Sequence, residues 1–276
     1  MAKTILIKKA DGSTELFEKL KLETSLKRAG ASKPITQEIV KKITVELVNG
    51  MTTKEIYQQA FTLLKDKEKH PVAAKYSLKK AVFDLGPSGF PFEDFIAEIY
   101  KAMGYETSTD IILKGKCAEH EVDLLAVKKG KKYGAEIKFH NSQAIKTDLK
   151  VALYVYARFD DVIKNNGVDE GALITNTKFT KNAITYGECV GLKMISWDYP
   201  NKDNLYSLIE ETGLHPITCL TTISEQGKKR LIENKIVLCR TIKENEDLLG
   251  IHGISTDSIP KILNEIRVLC QPGVGV

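Results

Sequence analysis

The segment 120–139 leaves the chain few ways to fold locally. It reads His120-Glu121-Val122-Asp123-Leu124-Leu125-Ala126-Val127, then Lys128-Lys129-Gly130-Lys131-Lys132, then Tyr133-Gly134-Ala135-Glu136-Ile137-Lys138-Phe139. Two runs rich in β-formers flank a short glycine-containing turn, the pattern of a hairpin. With Lys129-Gly130 as a two-residue turn, Asp123 lies opposite Glu136, and Glu121 opposite Lys138. Like charges directly opposite on a strand pair repel. A divalent cation between the two acids turns that penalty into a binding site, because hard cations such as Mg²⁺ prefer carboxylate oxygens. Lys138 projects from the same strand face as Glu136. There it can hold or activate an attacking water, or stabilise a phosphoryl oxygen.

An acid two residues before a lysine is not specific by itself. Asp148-Leu149-Lys150 and Glu233-Asn234-Lys235 have the same spacing. What sets Glu136-Ile137-Lys138 apart is its apolar strand and the acid facing it. The surrounding composition is that of a globular chain, and 276 residues suffice for two or three domains with cores of their own. No apolar run reaches the length of a membrane span, and Met1-Ala2-Lys3-Thr4-Ile5 lacks the apolar core of a secretory signal. The expected location is the cytoplasm, with no membrane partner. Five cysteines (117, 189, 219, 239 and 270) form no Cys-x-x-Cys pair and are odd in number, so they are expected to be reduced and at least partly buried. The net charge of +5 is uneven. Residues 1–90 hold 17 Lys and Arg against 10 Asp and Glu, so the positive excess sits away from the hairpin, as a polyphosphate ligand there would require.

Along the chain, short strands are expected over 3–9 and 14–17, joined at Asp11-Gly12, followed by helices near 20–30, 35–48, 53–65 and 71–84. Thr53, ahead of Glu55 and Ile56, is the expected N-cap of the third. Gly86-Pro87-Ser88-Gly89-Phe90-Pro91 is the clearest break. A helix with Phe92, Phe95, Ile96 and Ile99 on one face then runs to about Met103, with Gly104 ending it. A strand near 107–113 leads into the hairpin, and a helix follows from Asp148 to about Ile163. The strand 172–175, helix 179–189 and strand 192–197 imply a crossover onto one sheet. Residues 200–276 read as helical, clearest at 223–234 and 259–270. This gives three expected domains: 1–88, 89–199 and 200–276.

The first ninety residues resemble the ATP-cone, a small nucleotide-sensing domain of ribonucleotide reductases and their repressors. The likeness lies in the order and spacing of Ile7-Lys8-Lys9-Ala10-Asp11-Gly12, Phe17, Lys21-Leu22, Ser25-Leu26, Thr53-Lys54-Glu55-Ile56-Tyr57 and Ala73-Ala74-Lys75-Tyr76-Ser77-Leu78. The resemblance implies that Lys9, Lys21 and Thr53 contact a nucleotide, ATP or dATP, acting as effector. The family pattern has Lys-Arg-Asp-Gly in the first turn. Here Ala10 replaces the arginine, which removes one phosphate contact.

Residues from about 87 to 199 resemble the Mrr-like branch of the restriction-endonuclease superfamily, named for its Pro-Asp…Asp/Glu-x-Lys motif. The match runs through Gly89-Phe90-Pro91-Phe92-Glu93, Gly104-Tyr105, Val122-Asp123-Leu124-Leu125-Ala126, Glu136-Ile137-Lys138 and Ala172 to Ala183. It implies that Asp123 and Glu136, with the Ile137 carbonyl, ligate Mg²⁺ or Mn²⁺. It also implies that Glu93 completes the metal's surroundings and that Lys138 serves the water. Glu121 is expected to pair with Lys138, and His120 to be a surface or satisfied histidine rather than a ligand. His140 and Gln143 are near enough in sequence to touch substrate. Arg158 is expected to meet a DNA phosphate, and Tyr154 and Tyr156 to be core or interface. Leu249-Gly250-Ile251-His252-Gly253-Ile254 faintly resembles a helix–hairpin–helix with an extra residue between its glycines, and is read as part of a helical appendage.

The fold expected is therefore α/β, α+β over the whole chain: a small mixed helical cone, an α/β domain with a central mixed sheet, and the helical C-terminal region. The expected function is a metal-dependent DNA endonuclease regulated by ATP and acting as a homodimer. The alternative is a non-catalytic, nucleotide-sensing DNA-binding regulator. RNA or branched DNA is left open as substrate.

Overall fold

At the front of the chain, β1 (Leu6–Lys8) turns back through Asp11-Gly12 into β2 (Thr14–Leu16). Gly12 takes φ +82°, and Asp11 Oδ1 accepts from the Ser13 N–H, so the turn residues are suited to their backbone. The computed structural model describes residues 5–68, 70–86 and 92–271. The proline-glycine break at 87–91 and the first residues of the strand expected from Lys3 lie outside them.

Four helices follow: α1 (Lys19–Arg28), α2 (Lys33–Glu46), α3 (Thr53–Lys67) and α4 (His70–Phe83). Leu22 and Leu26 of α1, Ile39 and Ile43 of α2, and Ile56, Ala60 and Leu64 of α3 recur at helical spacing and close one core with Ala73 of α4. The cap of α3 differs from expectation. Thr52, not Thr53, is the N-cap: its hydroxyl accepts from Glu55 N and the Glu55 carboxylate accepts from Thr52 N, a complete capping box. Thr53 is the first helical residue. The cap falls one position earlier because Thr52 also bridges to Lys8 of β1, which holds it extended.

The second half of the same compact unit comes from the end of the chain, His215–Cys270. Here α9 (Glu225–Glu233), α10 (Cys239–Glu244), α11 (Leu248–Ile251) and α12 (Ile259–Leu269) surround Ile217, Leu231, Ile242, Leu249, Ile262 and Ile266. This helical region shares its core with the cone's last helix, because Ala74 and Ala81 of α4 belong to it. The cysteines also divide. Cys219, Cys239 and Cys270 are buried in this core, whereas Cys117 and Cys189 are exposed.

The other unit, Val82–Leu214, carries the sheet. Its elements are α5 (Phe92–Ala102), β3 (Glu106–Lys114), β4 (Glu119–Lys128), β5 (Lys131–Lys138), β6 (Lys146–Thr147), α6 (Leu149–Ile163), β7 (Glu170–Thr175), β8 (Lys178–Phe179), α7 (Lys181–Val190), β9 (Lys193–Ile195) and α8 (Leu205–Thr212). The main sheet runs β3-β4-β5-β7-β9: antiparallel across the first three strands, parallel across the last three. Helices α6 and α7 make the two crossovers that parallel pairing requires. The pair β6 and β8 forms a separate parallel ribbon. Phe92, Phe95, Ile96 and Ile99 of α5 are buried, and α5 packs on β3 and β4.

Candidate active site

The hairpin turn sets the register of the site. Lys129 (φ +52°) and Gly130 (φ +78°) both take left-handed backbone, as a type I′ turn demands. Lys128 then pairs with Lys131, and the ladder continues to Leu124 opposite Ala135. The next pair in that register is Asp123 with Glu136. Here the ladder stops, and the Asp123 side chain takes its place: Oδ2 accepts from the Ile137 N–H at 2.6 Å.

A second irregularity faces Asp123 from the other side. On β3, Thr109 pairs with Leu124 and Ile111 with Val122, so Asp110 stands across from Asp123. Asp110 adopts φ +52°, unusual for a residue with a side chain but tolerated by aspartate. The kink coincides with a change of surroundings along β4. Val122 joins the core beneath α6, while Leu124 and Ala126 line a small cavity with Tyr100 of α5. Asp123 sits at the crossing point, half-buried, and no other protein donor meets its carboxylate among the described residues.

Glu136 is nearly sealed, at 2% exposure. Lys138 Nζ approaches its Oε1 at 2.5 Å, and the Tyr154 hydroxyl donates to the same oxygen at 2.8 Å. Arg158 Nη1 donates to Oε2 and also to the Glu121 carbonyl, at 3.0 Å. Tyr154 and Arg158 are one turn apart on α6, so their side chains share a face. Their place corrects one expectation, since Tyr154 is partly exposed rather than a core residue; Arg158 meets a carboxylate of its own chain. Glu121 is corrected too, since Lys138 pairs with Glu136 and Glu121 offers its backbone carbonyl to Arg158. The signal that could have found Arg158 and Tyr154 is their i, i+4 spacing on the helix after the motif, but only the crossover aims that face at β5.

The electrostatics follow from this arrangement. Burial lifts the Asp123 carboxyl above its ordinary value, the Ile137 N–H pulls it back, and the charge of Glu136 raises it again; Lys138 lowers it and Glu93 raises it by smaller amounts. Glu93, on the first turn of α5, is thus near enough to act on Asp123 through its charge. Burial lowers Lys138, but its hydrogen bond and attraction to Glu136 prevail and hold it above the ordinary lysine value. The ammonium is therefore a donor and a fixed positive charge, not a base waiting for a proton.

His140 donates its N–H to Asn176 Oδ1 at 2.8 Å, Asn176 returns a bond to the His140 carbonyl at 2.9 Å, and the imidazole reaches Thr147 Oγ1. This clasps the end of β5 to the loop after β7, and burial lowers the His140 pKa, with the Lys138 charge adding to the effect. His120 meets Asp161 at 2.8 Å. In the cone, Lys9 and Lys21 converge on Glu15, at 3.0 and 3.4 Å, with Lys21 also 2.8 Å from Glu18. Thr53 opens α3 beside Thr52, which bridges to Lys8.

A divalent cation fits the donor set at the hairpin in a limited way. Among the described residues no group of three or more His, Cys, Asp and Glu side chains is gathered tightly enough to enclose an ion. Mg²⁺ needs no such cage: it keeps several waters and is commonly held by one or two carboxylates together with substrate phosphate. Asp123 offers one oxygen with no protein donor and a charge that its surroundings penalise, which a cation would relieve.

Comparison with known proteins gives a consistent family picture. Residues 5–81 match the ATP cone domain, residues 87–200 the Mrr-type restriction endonuclease domain, and residues 215–270 the domain described as AF1548-like, C-terminal. An uncharacterized protein of Archaeoglobus fulgidus is 38% identical over 173 residues, 62% of this chain and 98% of its own length. The crystal structure of AF1548, a protein of unknown function, is 34% identical and matches with a TM-score of 0.50 over 68% of this chain and 98% of that one. A repair endonuclease from Pyrococcus abyssi matches at a TM-score of 0.30 and 20% identity, over 37% of this chain and 42% of its own, a likeness too loose to weigh.

Proposed function

Since the chain belongs to the AF1548-like family and joins an ATP cone to an Mrr-type restriction-endonuclease domain, we propose that it is a metal-dependent DNA endonuclease regulated by nucleotide. The observation that carries this reading is the meeting of Asp123, Glu136 and Lys138 where the hairpin ladder ends, with the charge of Glu93 felt at Asp123. Asp123 and Glu136 are the proposed ligands of Mg²⁺ or Mn²⁺, with the Ile137 carbonyl and Glu93 as further oxygen donors. A metal ion held there would supply Lewis acidity and a water of lowered pKa. Lys138 orients the water or bonds a phosphoryl oxygen; the water oxygen forms the new bond to phosphorus and loses a proton to solvent, while the bond from phosphorus to its leaving oxygen breaks and that oxygen takes up a proton. Lys9, Lys21 and Thr53 are the proposed nucleotide contacts, with Glu15 as the internal counterion of the two lysines until phosphate displaces it.

The test is nicking of supercoiled plasmid with Mg²⁺ or Mn²⁺, with and without ATP. Wild type should cleave, whereas Asp123→Ala and Lys138→Ala should each lose at least about a hundredfold in rate. Variants as active as wild type would dispose of the assignment. One observation favours a second reading, a DNA-binding regulator without catalysis: Glu136 is already neutralised by Lys138 and Arg158. Nucleotide-dependent DNA retention with no cleavage under any divalent ion would select it. The proposed homodimer would place one site on each strand, and sedimentation with and without ATP measures it.

A further inference from the structure

Glu136 has every side of its carboxylate in use, with two cations and one phenol on two oxygens. So complete a set matters because a buried carboxylate left without a countercharge is costly. The two oxygens are not held alike. Oε1 has two partners, Lys138 and Tyr154, whereas Oε2 has Arg158 alone. Arg158 comes from α6, as Tyr154 does, keeps 24% of its side chain exposed, and lies with its guanidinium 5.5 Å from the Tyr154 ring centre. An arginine resting on an aromatic face can slide along it while remaining partly desolvated.

We propose that Arg158 is the stand-in cation of Glu136: it holds Oε2 while no divalent ion is bound, and gives that oxygen up to an incoming ion, turning to a substrate phosphate. The inference rests on the metal site proposed above. Charge counting supports it. Asp123, Glu136 and Glu93 bring three negative charges, and Lys138 and Arg158 two positive ones. A divalent ion added to that set leaves an excess positive charge, which release of Arg158 removes. The released guanidinium suits a phosphate, whose oxygens it can engage in pairs. It follows that Arg158 competes with metal. The apparent metal affinity is reduced by the fraction of molecules in which Oε2 is vacant. Arg158 is on this view a positioning residue for Glu136 before it is a substrate contact.

The experiment is calorimetric titration of Mn²⁺ into the full chain, stripped of metal and without DNA, for wild type, Arg158→Gln, Arg158→Lys and Asp123→Ala. Arg158→Gln should bind Mn²⁺ about tenfold more tightly than wild type, and Arg158→Lys more tightly by a smaller factor. A merely structural role would move the affinity the other way. In Ca²⁺, Arg158→Gln should also bind duplex DNA more weakly than wild type. Should Arg158→Gln fail to fold, as its melting curve will tell, Arg158→Lys bears the same comparison. Arginine variants that bind Mn²⁺ no more tightly than wild type would overturn the competition while leaving the metal site standing. Uptake of Mn²⁺ by neither wild type nor the arginine variants would overturn both, and Asp123→Ala sets the baseline for that outcome.

Discussion

At the scale of single residues, Asp123 is a group whose charge its surroundings in the candidate site penalise. Burial and Glu136 favour its neutral form, against one backbone donor. Its folded pKa therefore lies above the unfolded one. The stability it contributes is full below the ordinary carboxylate range and is lost as pH rises through the shifted value. Asp123→Asn keeps an acceptor for the Ile137 N–H and removes the charge. In EDTA near pH 8 the variant should melt above wild type, by about 2–4 °C for each kcal/mol relieved. The gap should close as pH falls into the acid range, because the wild-type carboxyl takes up its proton above the ordinary aspartate value. A gap of equal size at both ends of the titration would show that Asp123 bears no such penalty. This cost is the expected mark of a group arranged for a ligand rather than for the fold.

At the scale of elements, two glycines make room for α6. A Cβ at Gly171 would lie 2.5 Å from the Phe159 ring, and one at Gly134 equally close to it. Adjacent strands β5 and β7 thus share a notch into which Phe159 sinks, and that contact fixes the height of Tyr154 and Arg158 over Glu136. Gly171→Ala should destabilise the domain by about 1–3 kcal/mol through overpacking and, by lifting Arg158 from Glu136, should lower the metal concentration needed in the nicking assay. Urea melting and a metal titration of nicking measure the two effects, and an unshifted α6 would leave both unchanged. In the cone, Thr52→Ala should cost about 1 kcal/mol by removing the capping box of α3, whereas Thr53→Ala leaves the cap in place. Equal losses in urea melting would return the cap to Thr53. If Thr53 contacts nucleotide, its substitution should weaken ATP binding without that loss of stability, which separates the two threonines.

At the scale of the whole molecule, α4 serves two cores. Ala73 faces the cone, while Ala74 and Ala81 face the C-terminal helices. Polar bonds reinforce the second contact: Thr218 donates to the Ala81 carbonyl at 2.8 Å, and His70 meets Thr221 at 2.9 Å. Thr221 is held in turn by the buried Glu265. Removing residues 215–276 should therefore lower the melting temperature of the cone by at least about 5 °C. A cone that melts unchanged would mean that the two cores are independent. Much of this protein was legible from its residues. The hairpin register, the opposition of Asp123 and Glu136, and the helices of the cone all follow from interactions a few residues long: a two-residue turn, alternation and helical periodicity. The cap of α3 was missed by one position because β1 decides it. The sharing of α4, and the closing of Arg158 and Tyr154 on Glu136, depend on chain segments brought together from far apart. Sequence spacing determines what a side chain offers on its own element, and only the packing of elements decides which neighbour receives it.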